Sequence, residues 1–206
     1  MSSPKPRRHY TLEEYFAMET EAVERHEFLD GQILAMAGES PSHSLVNVNL
    51  IREISAQLKG KPCATYSPNM KVCVSPKGTI VYPDVTVVCG PAQFFQKRTD
   101  TLTNPTLIVE VLSPSTENYD RGEKWIRYQQ VESLNEYVIV AQDAPRVERF
   151  FRNPEGGWFY ESVSGIESTI RFESIDCVLR LADIFDRIEF PPVDEEESVI
   201  DEPPPS

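Results

Sequence analysis

Three charged residues of this chain stand where charge is costly or where chemistry would want it: Asp84, Glu110 and Lys124. Glu110 lies in the run Leu107-Ile108-Val109-Glu110-Val111-Leu112-Ser113, which reads as a buried strand. Alternation points Leu107, Val109 and Val111 one way and Ile108, Glu110 and Leu112 the other. Both faces are therefore apolar apart from one carboxylate. An ionised carboxylate in such a place must be paired or bound to a metal, or it takes up a proton. Asp84 follows Pro83 at the entry to a second apolar strand, VTVV. Proline has no N–H to give to a ladder and holds Tyr82 extended. Taken alone, Asp84 also reads as an ordinary strand-entry residue. Lys124 belongs to NYDRGEKWIRYQQ, a helix over residues 120–131 with Asp120 as the expected N-cap and Glu123 three residues on. Lys124 and Tyr128, at i and i+4, share one face. A cation in a first helical turn gains nothing from the helix dipole. The bland readings of Lys124 are a solvated lysine or a buried salt bridge to Glu110. The chemical reading joins all three residues. Two carboxylates on neighbouring strands hold a hard divalent ion such as Mg²⁺ or Mn²⁺. The ion polarises a phosphate oxygen and acidifies a water, and a lysine nearby stabilises developing charge.

The elements that must position these residues follow from local signals. Thr11 and Glu14 form a capping box ahead of a short helix, LEEYFAMET. Asp30-Gly31 between two apolar runs predicts a tight hairpin. SPSHSLVNVNLIREISAQLKGK reads as a longer helix capped by Ser40 or Ser42 and ended near Gly60. Its apolar stripe is expected at Leu45, Val48, Ile51, Ile54 and Leu58. CATYSPNMKVCVS and TIVYPDVTVVCG are expected to pair around a Pro-Lys-Gly turn, and residues 91–105 read as a polar loop. LNEYVIVAQ is a strand, RVERFFRNPEGGWFYESV a hairpin, and SIDCVLRLADIFDRI a last strand and short helix. Helices interleaved with hairpins predict an α/β (α+β) domain with a mixed central sheet flanked by helices.

Composition sets limits on partners. The net charge is −13, and the stretch from Val193 holds six acids and no Lys or Arg; without those six the chain still carries −7. A general electrostatic grip on nucleic acid wants the opposite sign, so a nuclease would need local cations, metal ions or a partner. The expected organisation is a flexible basic arm over residues 1–9, a single domain over 10–190, and a disordered acidic, Pro-rich tail over 191–206. No run has the length of a membrane span, and the N-terminus lacks the apolar core of a secretory signal. The four cysteines (Cys63, Cys73, Cys89, Cys177) form no CxxC pair. Buried reduced thiols in a cytoplasmic setting are the expectation, ahead of disulfides or zinc.

The segments RHEFLDGQILAMAG, SPSHSLVNVNL, YPDVTVVC, PTLIVEVLSPSTENYDRGEKWIRY and SLNEYVIV with VERFFR resemble, as a set, the Uma-two family of the PD-(D/E)XK nuclease superfamily. The resemblance runs from about Tyr10 to about Ile188. It implies a restriction-endonuclease-like core, a divalent metal, DNA as substrate and a homodimer. Asp84 matches the aspartate after the motif proline, and Glu110 the second acidic position; both are metal ligands by this resemblance. In the metal-dependent reading the backbone carbonyl of Val111 is expected as a further ligand. The superfamily usually has a lysine two residues after the second acid, where this chain has Leu112. Lys124 on the following helix is the expected replacement. Glu27 matches an additional acid near the start of the core, although an ordinary hairpin carboxylate is an equal reading. His43 and Arg121 are candidate phosphate contacts; His43 also reads as a polar helix-start residue, and Arg121 as a partner of Glu117 or Asp120. Trp125, Tyr128 and Trp158 read as packing residues. A metal-dependent DNA endonuclease is the leading expectation. The alternative is a weak or inactive nuclease-fold module that binds nucleic acid or assembles.

Overall fold

The computed structural model describes residues 8–36, 38–75, 78–113 and 116–190. The expected basic arm and acidic tail fall largely outside these residues. Arg8 is among the described residues, and its exposed guanidinium pairs with Glu14 at 3.0 Å.

Helix α1 (Leu12–Glu21) opens with the expected capping box of Thr11 and Glu14. Strands β1 (His26–Leu29) and β2 (Gln32–Ala35) pair across Asp30-Gly31, both at positive φ as a two-residue hairpin turn demands. Helix α2 (Pro41–Leu58) is capped by Ser40, whose hydroxyl accepts from the His43 amide. Strands β3 (Cys63–Tyr66), β4 (Lys71–Ser75), β5 (Thr79–Val81), β6 (Val85–Cys89), β7 (Thr101–Leu102) and β8 (Leu107–Val111) follow. A helical segment comes next: α3 (Glu117–Tyr119), a π-helical stretch (Asp120–Lys124) and α4 (Trp125–Tyr128). Strands β9 (Glu136–Val140), β10 (Arg146–Arg152), β11 (Trp158–Ser164), β12 (Thr169–Phe172) and β13 (Cys177–Arg180) lead to α5 (Leu181–Ile184).

A mixed six-stranded sheet, β11-β10-β9-β8-β6-β3, forms the centre; β8 runs parallel to β9 and antiparallel to β6. One face packs Val85, Leu107, Val109, Val111 and Val138 against Val46, Leu50, Ile54 and Leu58 of α2. The other packs Ile108, Tyr137 and Ile139 against Tyr128 of α4 and against Val72, Val81 and Leu102 of a five-stranded sheet, β2-β1-β5-β4-β7. The predicted alternation of β8 is thus observed.

Several expectations are corrected. The buried stripe of α2 includes Val46, Leu50, Ile54 and Leu58, while Leu45 and Val48 are exposed. Spacing by three residues drifts about 60° per step around a helix, so an i+3 series leaves the buried face. The two segments on either side of residues 76–78 do pair, but each divides between sheets: β4 pairs with β5, and β3 with β6; Pro76 and Lys77 of the expected turn lie outside the described residues. Pro83, unable to donate to a ladder, stands at the break between β5 and β6. The loop 91–105 contains the short strand β7, parallel to β4. The expectation of four reduced thiols fails for two of them. Cys63 and Cys89 face each other in the β3–β6 register and form a disulfide. Cys73 and Cys177 are free and buried, and burial pushes the Cys73 thiol up to about 11. Among the described residues no helix is long and apolar enough to cross a membrane.

Candidate active site

The register of β6 and β8 builds the centre of the site. Val85 pairs with Val109 and Thr86 with Ile108, so one further step along the same antiparallel register sets Asp84 opposite Glu110. Both line a cleft of about 300 Å³ together with Glu27 of β1, Val111, Asp120 and Lys124. Residues separated by almost a hundred positions in sequence thus meet at one place.

Glu110 is only 3% exposed and Lys124 only 5%. Lys124 Nζ lies 2.9 Å from Glu110 Oε1, 3.3 Å from Asp120 Oδ1 and 3.5 Å from Glu27 Oε1. The Tyr128 hydroxyl donates to Glu110 Oε1 at 2.6 Å, so the shared face of Lys124 and Tyr128 expected from their spacing is directed at this carboxylate. Burial alone would push Lys124 down, but Glu110, Glu27, Tyr128 and Asp120 together outweigh it and hold the ammonium charged. Burial pushes the Glu110 carboxyl up, with Asp120 and Asp84 adding to the effect against the pull of Lys124 and Tyr128. Glu27 accepts from the Tyr82 amide at 3.3 Å and from the Tyr119 hydroxyl at 3.2 Å.

Asp84 is held by the Val111 amide, which donates to its Oδ2 at 2.8 Å. The same oxygen lies 3.3 Å from Nε2 of His43. Burial would push His43 down, but its hydrogen bond to Asp84 and the charges of Asp84 and Glu39 raise it overall. Its ring thus lies between two carboxylates. Glu39, which no sequence pattern singles out, lines the cleft beside it. Among the described residues, Glu39, His43 and Asp84 bring one donor atom each within 4.8 Å of one another.

Two sequence expectations are corrected here. Asp120 is not an N-cap: the helical segment begins at Glu117, and Asp120 opens its π-helical stretch, buried against Lys124. The Tyr137 hydroxyl donates to the Asp120 carbonyl at 3.0 Å, and such insertion of a side chain into the helical ladder accompanies widened turns. Arg121 is not a free phosphate contact. It makes a two-pronged bond to Glu148, 2.7 Å at each nitrogen, and a third to Glu117 at 2.8 Å. Its partners are therefore Glu117, as one of its two structural readings held, and Glu148. Trp125 stacks on Tyr137 and Phe150 and meets Trp158 edge-on, as packing residues do.

Five carboxylates (Glu27, Glu39, Asp84, Glu110 and Asp120) line this cleft with Arg25, His43 and Lys124. That donor set is short of positive charge and rich in oxygen, which fits a hard divalent cation.

Comparison with known proteins agrees with this architecture. A family model for Uma2, described as "Putative restriction endonuclease", matches residues 12–179. An uncharacterized protein of Synechocystis sp., slr1290, is 37% identical over 157 residues, covering 76% of this chain and 80% of that one. A second uncharacterized Synechocystis protein, sll1609, is 30% identical over 162 residues, covering 79% and 92%. A crystal structure titled as a putative nuclease belonging to DUF820, from Anabaena variabilis, aligns with a TM-score of 0.70 at 15% identity, covering 85% of this chain and 97% of that one. At that identity the likeness is one of fold. With the family model spanning most of its length and two relatives aligned over three quarters of it, the chain belongs to the Uma2 family of putative restriction endonucleases.

Proposed function

We propose that this protein is a divalent-metal-dependent endonuclease that hydrolyses phosphodiester bonds in DNA. Asp84 and Glu110 are the metal-holding carboxylates, the Val111 carbonyl is a further ligand, and Mg²⁺ or Mn²⁺ is the ion. The observation that carries this reading is the meeting of Glu27, Asp84, Glu110 and Lys124 in one cleft where acids outnumber the lysine. The ion, when bound, supplies a polarised phosphate oxygen and an acidified water. The chain's own residues do the rest. The Val111 amide fixes Asp84. Tyr128 holds one oxygen of Glu110. Lys124, fixed among three carboxylates, stabilises negative charge developing on the attacked phosphate and orients the water.

The test is cleavage of supercoiled DNA by purified protein with Mg²⁺ or Mn²⁺. Asp84→Asn and the charge-keeping Lys124→Arg should each lower the rate by about 100-fold or more, with melting curves confirming that both variants fold. Wild-type rates in both variants would remove these residues from the mechanism.

A second reading is a binding or assembly module with this fold and no cleavage. It is favoured by the acidity of the chain, −13 in all, and by the ion pair that already satisfies Glu110. A DNA mobility shift without metal uptake or cleavage would support it. In either reading we propose a homodimer formed through the outer strand β11, where Phe159 and Tyr160 are exposed. Light scattering should give twice the chain mass, and Phe159→Glu should return it to that of a monomer.

A further inference from the structure

The cleft has a second end, where its donors change character. Glu39 precedes α2, His43 lies in the first turn of α2, and Asp84 stands at the entry to β6. One donor atom from each lies within 4.8 Å of the other two. His43 is 8% exposed. Its Nε2 faces Asp84 at 3.3 Å, and its Nδ1 is buried with no hydrogen-bond partner. The nearest carboxylate oxygen to that nitrogen, Glu39 Oε2, stands 3.8 Å away, beyond hydrogen-bond reach. A buried ring nitrogen left unpaired costs free energy that a ligand bond would recover.

We propose that Glu39 Oε2 and the open Nδ1 of His43 form a cation subsite for a borderline divalent transition-metal ion, such as Mn²⁺, Co²⁺ or Zn²⁺, distinct in its preference from the all-oxygen end at Glu110, with Asp84 on Nε2 orienting the ring. An imidazole with a carboxylate suits such ions, whereas Mg²⁺ favours oxygen donors and water. An anion is the competing occupant, because the N-terminus of α2 lies here and helix N-termini attract anions. Two carboxylates at the same spot repel it. Arg25 holds the other oxygen of Glu39 at 3.4 Å, which keeps Oε2 turned towards the ring. The subsite shares Asp84 with the proposed nuclease centre and rests on that reading for the second role of this residue.

The test uses the full chain and the metals alone. Calorimetric titration with Co²⁺ and with Mg²⁺ is paired with electron spin-echo spectroscopy of bound Mn²⁺, which detects a coordinated nitrogen. Wild-type protein should show nitrogen coupling to Mn²⁺. His43→Gln should abolish the coupling and weaken Co²⁺ about ten-fold or more, while Mg²⁺ affinity stays within about two-fold. Glu39→Gln, at a more exposed position, should weaken Co²⁺ without loss of thermal stability, which separates a missing ligand from a misfolded variant. Absence of nitrogen coupling in the wild type, or unchanged Co²⁺ affinity in both variants, overturns the subsite. DNA cleavage is scored separately. Nitrogen-coupled Mn²⁺ in a protein that cuts no DNA would sustain the subsite and sink the nuclease; cleavage without nitrogen coupling would do the reverse.

Discussion

A carboxylate in the middle of an apolar strand is tolerated here because one ammonium and one phenol meet it. Lys124 also faces Glu27 and Asp120, so its removal strands three acids at once. Lys124→Met should therefore lower the metal-free stability by about 3–5 kcal/mol, read by urea denaturation. Added Mg²⁺ should recover part of the loss if the cleft takes a cation, because ligands of the folded state stabilise it. A neutral effect of Lys124→Met without metal would mean that the pair is replaceable packing. Glu110 was legible in the sequence because an acid breaks an apolar alternation, and Lys124 and Tyr128 because they share a helical face. Asp120 was misread because its side-chain type suits an N-cap and nothing local announces a π-helical turn. Glu39 was not legible at all. A surface acid before a helix carries no pattern, and only the fold brings it to His43.

At the scale of elements, caps and turns were the clearest signals. The Thr11–Glu14 box, the Ser40 cap and the Asp30-Gly31 turn all form as their chemistry dictates. Faces and registers were harder. The stripe of α2 was displaced towards Leu45 and Val48, and this has a direct test. Leu50→Ala should cost about 2–5 kcal/mol, whereas Val48→Ala should change stability by less than about 0.5 kcal/mol, both by chemical denaturation. Comparable losses would contradict the buried face. The Cys63–Cys89 pairing was hidden for a related reason: the partners are 26 residues apart, and only the β3–β6 register makes them neighbours. The passage of one segment through two sheets depends on tertiary packing, although Pro83 marks where it happens.

For the whole molecule, the six-stranded sheet carries a core on each face, and one ion cluster ties the helical segment to β10. Arg121 grips Glu148 of β10 with two nitrogens. That guanidinium holds the Glu148 carboxyl below its ordinary value of 4.5, against the opposing effect of burial. A depressed carboxylate contributes stability that is present above its unfolded value and lost as pH falls through the folded one. The stability difference between wild type and Arg121→Ala should thus be full near pH 7 and shrink progressively below about pH 4.5. A difference independent of pH would show that Arg121 acts by packing alone. The mixed sheet with flanking helices was legible from the order of elements, whereas the second sheet on its far face was not, because it is assembled by pairing β1 with β5 and β4 with β7 across long separations.

The π-helical stretch makes the length of the chain itself a determinant of the cleft. A π turn holds one residue more per hydrogen-bonded ring than an α turn, so losing one residue between Asp120 and Lys124 lets the segment close as regular α-helix. Everything before the deletion then rotates by about 100° relative to everything after it. Tyr119 and Asp120 would swing out of the cleft while Lys124 and Tyr128 kept their places. Gly122 has open space around a would-be Cβ, so Gly122→Ala should leave the proposed cleavage of supercoiled DNA unchanged, whereas deletion of Gly122 should abolish it in a protein that still folds. At Gly122 the side chain is therefore free to change while the residue count is not.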